Sequence, residues 1–291
     1  MKKILYLFFI FFLLAVAFMM GLGAGFIFDN DDGFKAGDKV ALLSVEDVIL
    51  DSKVYLESIT IIKKDKDIKA LVLRINSPGG AVGPSQEIYS EILKLREQMP
   101  VVASLGAVAA SGGYYIACGA DKIMTNPGTV TGSIGVIAQF VNYKELLDWA
   151  KVDVEVLKSG KFKDSGSPLR DLTSEERAYL QSTIDDVHNQ FKTAVSSTRG
   201  LNPAEVDSIA DGRIFTGQQA VDLKLVDEIG TMNDAIDAAA KLGGIEGEPN
   251  VTHYPKKKTR LIDVLSNIES NVIPKIPFNS RFGLFYLVNT I

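Results

Sequence analysis

The chain has 291 residues, a formal net charge of −5 and 46% hydrophobic residues. This composition predicts a globular protein of one large or two modest domains. The mild acidity argues against nucleic acid as the main partner, because a duplex binder normally has a basic face. The single cysteine, Cys118, excludes an internal disulfide. No zinc-type ligand spacing is present, and we expect no metal or cofactor.

The N-terminal segment indicates where the protein resides. Residues 1–3 carry two lysines, an almost unbroken apolar run covers 4–28, and aspartates follow. Such a run is long enough to cross a bilayer, and the leading lysines predict a cytoplasmic N-terminus. We therefore expect a retained single-pass transmembrane anchor at 4–28 in the cell membrane, with the remainder on the extracytoplasmic side. The alternative is a signal peptide cleaved after Ala15–Ala17, which would also export the remainder.

Beyond a linker at 29–38, the next segments alternate between strand and helix patterns up to residue 245. Short apolar runs predict strands at 40–45, 68–75, 100–105 and 122–125, and the glycine- and threonine-rich segment 128–136 is expected to be a loop. Helical spacing predicts helices at 84–98, 174–198, 203–210, 217–223 and 232–242. This alternation is typical of an α/β fold with a mainly parallel sheet flanked by helices. The longest helix begins with a capping box, Thr173 and Glu176, and ends before Gly200.

The C-terminal extension, 246–291, has a different pattern. A lysine-rich stretch leads into a predicted amphipathic helix near 261–268, and the apolar run 282–288 comes close to the end of the chain. One interpretation is a last helix and strand packed on the domain. The alternative is an apolar tail that docks on a membrane, a neighbouring subunit or a groove of the domain.

Two glycine-rich segments follow predicted strands. We expect a turn at Asn76–Gly80, and its glycines can present backbone N–H groups to a developing oxyanion. The alternative is an ordinary strand-to-helix turn, which has the same composition. Ser111 follows the next strand and opens the segment 112–118, as an N-cap or as a nucleophile. Because the carboxyl ends of parallel strands share one edge of a sheet, the two segments can meet there.

A nucleophilic serine needs a base, and histidine is the usual one. The chain has two histidines: His188 is expected on the polar, solvent-facing side of a helix, and His253 lies in a thinly structured region. Neither is an obvious base, so a lysine becomes the natural candidate.

Four motifs together resemble the bacterial signal peptide peptidase A family in its short form: Ser77–Gly80, Ala110–Tyr115, Thr131–Val136 and Ser159–Asp164. A further matching stretch lies at Asp211–Gly217, and the similarity spans about 39–245. The resemblance implies a membrane-anchored serine peptidase with a Clp-protease/crotonase-like fold and a Ser/Lys dyad.

Carried over by position, the resemblance makes Ser111 the nucleophile and Lys163 the general base. Ser133 corresponds to the serine that helps hold that lysine, and Gly79 and Gly80, joined by Gly112, correspond to the oxyanion hole. A lysine base must be neutral, and burial favours its neutral form. The nearby Lys161 is interpreted as a solvated surface charge.

The function that follows is cleavage of remnant signal peptides and other apolar exported peptides through an acyl-enzyme. The resemblance also implies a homo-oligomeric ring in which Lys163 can serve the Ser111 of another subunit. Two alternatives remain: a crotonase-like acyl-coenzyme A hydratase or hydrolase, and a catalytically silent membrane scaffold. The export signal and the Ser111/Lys163 pair count against the first, and the intact Ser111/Lys163 dyad counts against the second.

Overall fold

The structure is a computed structural model that describes residues 11–14, 16, 37–256 and 285–287. The chain consists of two compact units, Met1–Gly37 and Asp38–Ile291. Residues 11–14 and 16 of the first unit are helical, and the side chains at 11–14 are exposed. Within the described residues, no helix has both the length and the apolar character needed to cross a membrane. The rest of the anchor predicted at 4–28, the linker up to residue 36 and the amphipathic helix predicted near 261–268 lie outside the described residues.

The second unit is built on an eight-stranded sheet with the order β7-β6-β4-β2-β1-β9, in which β5 also pairs with β4 and β8 pairs with β5. All of these pairings are parallel except β6 with β7. The described strands are β1 Lys39–Glu46, β2 Ile68–Ser77, β3 Gly79–Ala81, β4 Val101–Ala110, β5 Lys122–Thr125, β6 Val130–Gly132, β7 Ile214–Thr216, β8 Glu228–Ile229, β9 Asn250–Tyr254 and β10 Phe285–Leu287. Of these, β3 and β10 form a separate two-stranded sheet. The predicted α/β fold with a mainly parallel sheet is confirmed.

Helices cover both faces of this sheet, which is why β1, β2 and β4 are almost entirely apolar and buried. One face packs against α1, α2, α3 and α5, and the other packs against α8. The helices are α1 Lys53–Lys64, α2 Val82–Arg96, α3 Gly112–Ala117, α4 Lys144–Ala150, α5 Ser174–Arg199, α6 Pro203–Ile209, α7 Gly217–Asp222 and α8 Met232–Leu242.

The longest helix, α5, confirms its predicted ends. The Thr173 side chain accepts from the backbone of Glu176, the Glu176 side chain accepts from the backbone of Thr173, and Gly200 ends the helix in a left-handed conformation. This reciprocal pair satisfies two backbone donors that a helix otherwise leaves without partners. The position of the N-terminus of α5 is therefore well determined by local chemistry.

Three local predictions need correction. The expected turn at Asn76–Gly80 is instead the end of β2 followed by the short strand β3. The glycine- and threonine-rich segment 128–136 contains β6, which pairs with the far end of β4. That strand continues five residues beyond Leu105, to Ala110, so Ser111 follows it directly.

Candidate active site

Ser111 lies at the point where β4 passes into α3. Its backbone has φ 53° and ψ −118°, a conformation that costs a residue with a side chain about 1–3 kcal/mol. Its N–H donates to the carbonyl of Gly132 at 2.8 Å, and its carbonyl accepts from Tyr115 N–H at 2.8 Å. These bonds hold the strained turn in place.

The Ser111 hydroxyl is buried and has no hydrogen-bond partner in the described part of the chain. Although Ser111 stands at the N-cap position of α3, its side chain makes no capping hydrogen bond. The N-cap interpretation is therefore wrong for this serine. A buried hydroxyl without a partner is costly for stability, and such groups in native proteins call for a functional explanation.

Ser133 stands beside Ser111 because the two follow neighbouring strands. Ala110, the last residue of β4, pairs with Gly132, the last residue of β6. Ser133 also has a left-handed backbone, with φ 51°, and its N–H donates to the carbonyl of Arg213 at 2.8 Å. Two serines with strained backbones therefore follow directly on a pair of aligned strand ends.

The predicted oxyanion glycines also converge on this place. A Cβ on Gly112 would lie 3.2 Å from the Gly80 nitrogen and 3.3 Å from the Gly79 Cα, so the two segments are in contact. Gly80 has no space for a side chain, since its Cβ would lie 2.0 Å from the Ile49 carbonyl oxygen. Backbone amides can thus approach each other here more closely than side chains would permit.

The short strand β3 has a neighbour on each side. Ile49 bonds to it on one side, with Ala81 N–H donating to the Ile49 carbonyl at 2.7 Å. On the other side, β10 pairs antiparallel with it, with Tyr286 opposite Gly80. Residues 285–287 of the C-terminal run therefore form a strand, and they pair with the glycine segment of the candidate site.

Lys163 lies elsewhere. It is exposed in the segment between α4 and α5, and no hydrogen bond joins it to Ser111. The structure thus brings together Ser111, Ser133, Gly79, Gly80 and Gly112 within one chain, whereas the predicted base is not among them.

The residues around Lys163 are anchored to the start of α5. Lys161 is an exposed surface charge, as expected, and forms an ion pair with Glu175. The ring of Phe162 packs against Tyr179 with 5.1 Å between centroids. These contacts place the loop without involving the Lys163 side chain.

Asp164, the residue after Lys163, is joined to Arg170 and Lys158. Hydrogen bonds from Arg170 hold the pKa of the Asp164 carboxyl well below its usual range. The same guanidinium holds the pKa of Glu176 well below its usual range. Both carboxylates are therefore charged at neutral pH, and the cluster is a set of fixed ion pairs.

Sequence reasoning missed Ser85, whose hydroxyl oxygen would lie only 2.6 Å from a Cβ on Gly112, and it missed Arg170. It was also wrong about His188, which is half-buried with its Nε2 3.2 Å from the Ile134 carbonyl. No signal in the sequence separates Arg170 from other surface arginines. Its role becomes visible only when Asp164 and Glu176 are seen on either side of it.

A serine on a sharp strand-to-helix turn of a parallel α/β sheet is the arrangement that serine hydrolases use. Residues 94–246 match the model of peptidase family S49, and residues 43–129 match the Clp protease model. The chain therefore belongs to peptidase family S49 and is a serine-type peptidase with a Clp-protease-like fold.

Several relatives bear protease names. A Synechocystis sp. protein assigned as a protease is 46% identical over 72% of this chain and 76% of its own length. An Enterococcus faecium protein assigned as signal peptide peptidase SppA is 37% identical over 70% and 63%. Protease 4 of Salmonella typhi is 34% identical over 73% of this chain, which spans only 34% of that relative.

A solved structure of a mutant of the 1510-N membrane-bound stomatin-specific protease, in complex with a substrate peptide, aligns with a TM-score of 0.49 and 17% identity, covering 81% of this chain and 100% of that one. A likeness at this level does not bear on the site.

Proposed function

We propose that this protein is a membrane-anchored serine endopeptidase that cleaves remnant signal peptides and other apolar exported peptides. The observation that carries the proposal is the buried, unpartnered hydroxyl of Ser111 on a strained turn beside Gly80 and Gly112. The S49 assignment favours a peptidase over the acyl-coenzyme A and scaffold alternatives.

In the proposed reaction, Ser111 Oγ attacks the scissile carbonyl carbon while its proton passes to the neutral amine of Lys163. The carbonyl oxygen becomes an oxyanion that the backbone N–H groups of Gly80 and Gly112 stabilise, at about 2.7–4 kcal/mol for a well-placed donor. The Gly79 N–H, the third predicted donor, already donates to Ser77 Oγ at 3.1 Å and would have to leave that bond to take part. The protonated lysine then gives its proton to the leaving amine, and an acyl-enzyme remains. Water, deprotonated by the same lysine, releases the acid and restores Ser111.

The base comes from a neighbouring subunit in this proposal. Lys163 makes no hydrogen bond with Ser111 in its own chain, and the segment that carries it, together with α4, has several exposed apolar side chains. Trp149 is 81% exposed, Leu157 is 89% exposed, and α4 has no buried residue. Apolar side chains in such number are typical of a surface that another subunit covers. Burial in that interface would favour the neutral amine that a base requires.

The peptide substrate binds as an extended strand along β3. The support for this is the pairing of β10 with β3, in which the chain's own C-terminal segment lies antiparallel along the glycine strand. Main-chain hydrogen bonds of this kind give affinity without dependence on side chains. A substrate must therefore displace residues 285–287 to reach Ser111.

A single-pass anchor at 4–28 would hold the enzyme in the cell membrane, with a cytoplasmic N-terminus and an extracytoplasmic catalytic unit. The exposed apolar side chains on the helical residues 11–14 support this, since they suit a lipid environment. Intact-mass analysis of the membrane-extracted protein tests the anchor. A mature chain beginning at Phe18 would contradict it and would show a cleaved signal peptide.

The full-length protein in detergent, assayed with a fluorogenic apolar peptide, tests the dyad. Ser111→Ala and Lys163→Ala should each abolish cleavage, whereas Lys161→Ala should not. Full activity of the Lys163→Ala protein would refute the assignment of the base.

Mixing the two inactive proteins under conditions that exchange subunits tests the shared site. If each site takes its serine from one subunit and its lysine from the next, an equal mixture should regain about a quarter of wild-type activity. A doubly substituted Ser111→Ala/Lys163→Ala chain mixed with Ser111→Ala is the control and should stay inactive. A mixture without recovered activity, in rings shown to exchange, would contradict sharing.

A further inference from the structure

The side chains of residues 161, 162 and 164 all make contacts that hold the loop in place, whereas the Lys163 side chain makes no such contact with the described residues. Lys161 pairs with Glu175, Phe162 packs on Tyr179, and Asp164 is held by Arg170. The partners lie on or just before the first two turns of α5. A loop tied on both sides of one free lysine is arranged to present that side chain.

Arg170 makes the strongest of these connections. Its Nε donates to the carboxylate of Asp164 at 2.9 Å, and its Nη2 donates to the Asp164 backbone carbonyl at 3.3 Å. Arg170 therefore binds the main chain of the residue directly after Lys163, in addition to its side chain. A planar guanidinium with several donors can hold both groups at once, which a lysine at the same position cannot do.

The other end of Arg170 is bound to a rigid part of the fold. Its Nη1 donates to Glu176 at 2.9 Å, and Nη2 donates to the second oxygen of the same carboxylate. The Glu176 side chain is only 5% exposed and belongs to the capping box of α5, where it accepts from Thr173 N–H at 3.0 Å. Its position is set by the helix terminus, so Arg170 connects the lysine loop to a fixed point.

We propose that Arg170 is the positioning residue for Lys163: it clamps Asp164 to the N-terminus of α5 and so holds the lysine where it reaches the neighbouring subunit's Ser111. This inference rests on the proposed role of Lys163 as a base supplied between subunits. Lysine has a flexible stem, so its backbone must be placed accurately for proton transfer. A misplacement of about 1 Å in a catalytic group can cost about 10²-fold in rate.

The first test compares variants of the full-length enzyme in detergent. Arg170→Ala should lower kcat by about 10²-fold while KM stays within about twofold, because the substrate-binding strand is not altered. Arg170→Lys should recover only a small part of this loss. Lys192→Gln is the matched control, since it removes another α5 ion pair, with Asp207 at 2.9 Å, that is not connected to the lysine loop. Its kcat should equal that of the wild type.

The second test asks which subunit needs Arg170. In a mixture of Ser111→Ala with Lys163→Ala, each productive site uses Lys163 of the first chain and Ser111 of the second. Adding Arg170→Ala to the chain that supplies Lys163 should lower the recovered activity by the full 10²-fold or so. Adding it to the chain that supplies Ser111 should leave the recovered activity unchanged. The two mixtures contain the same substitutions, so a general loss of stability would affect them equally.

Each outcome decides the matter. Equal activity in the two Arg170→Ala mixtures, or wild-type kcat in assembled Arg170→Ala enzyme, would overturn the positioning role. If Lys163→Ala is itself active, Lys163 is not the base, and the positioning role falls with the proposed mechanism. If only the reference mixture is inactive, sharing between subunits fails, and the kcat of the single Arg170 variants then decides whether Arg170 positions Lys163 within its own chain. If Arg170→Ala does not assemble, Glu176→Gln replaces it, because glutamine retains the capping box and removes the charge that the guanidinium binds. Unchanged kcat in folded Glu176→Gln would then refute the clamp.

Discussion

Replacing Gly112 by alanine tests the candidate oxyanion site with a single methyl group. The added Cβ would lie 2.6 Å from Ser85 Oγ and 3.2 Å from the Gly80 nitrogen, whereas ordinary contact begins at 3.4 Å. The nearest contact is thus too short by about 0.8 Å, and close packing forces the neighbours to move. Since one neighbour is the Gly79–Gly80 segment, the methyl group should separate the backbone donors.

The expected cost is large in rate and moderate in stability. The contact with the Gly80 nitrogen is short by about 0.2 Å, so the added methyl group displaces a proposed oxyanion donor, and removal of one such donor costs about 10²–10³-fold in kcat. Overpacking in a core costs about 1–3 kcal/mol. We therefore expect kcat to fall by at least about 10²-fold, with a lower but measurable midpoint of thermal unfolding.

The assay is steady-state cleavage of the fluorogenic peptide, with unfolding followed by circular dichroism. Ser85→Ala removes the closest clash, so the double variant should recover part of kcat but not all, because the contact with Gly80 remains. Gly83→Ala is the matched control in α2. A Cβ there meets nothing within 4 Å, so kcat should not change and stability should rise by about 0.4–1 kcal/mol. Wild-type kcat in folded Gly112→Ala enzyme would refute the placement of the oxyanion site.

Three further predictions follow from burial, pairing and charge. Burial raises the pKa of the Cys118 thiol to about 11, so iodoacetamide should label this cysteine only after the protein unfolds. Rapid labelling of the native protein would contradict the burial of Cys118. Truncation after Lys256 removes β10, which pairs with β3. Because the tail then no longer competes with the peptide for β3, the KM for the peptide should fall while kcat is not lowered. An unchanged KM would show that the tail does not compete with the substrate. The pKa of Glu176 is lowered mainly by Arg170. Its carboxylate therefore stabilises the fold at pH values above its unfolded pKa of about 4.3. This contribution to the free energy of unfolding disappears as the pH falls toward the lower pKa of the folded state. Urea unfolding at neutral and acid pH should therefore show a smaller pH dependence for Glu176→Gln than for wild type, and an identical dependence would contradict the ion pair.

Much of the fold was predictable because the relevant forces are local or depend on periodicity. The apolar runs of β1, β2 and β4 and the spacing of α5 follow from burial on two faces or on one, and the capping box is a short-range interaction. Several strands were not predicted, among them β3 and β6, which have only three residues each and contain glycine. They are strands because partners on neighbouring segments offer hydrogen bonds, and no pattern within three residues reports a partner.

The candidate site was also predictable only in part. Motifs in the chain pointed to Ser111, Ser133 and the three glycines, and strand order explains why they meet. The contacts of Arg170 with Asp164 and Glu176 depend on how the loop folds back on α5, a relation that residue types alone do not contain.

Ser111 and Lys163 show most clearly which properties follow from the sequence and which depend on the tertiary structure. From the sequence alone came the strand-to-helix setting of the serine, the absence of an obvious histidine and the candidate lysine, because these depend on residue type, order and local pattern. Only the tertiary structure decided that the serine turn is strained, that its hydroxyl caps nothing, and that Lys163 is exposed on a loop and makes no hydrogen bond with that hydroxyl. Backbone strain and distances between segments arise from packing across the whole sheet, and packing is a property of the folded chain rather than of any stretch of its sequence.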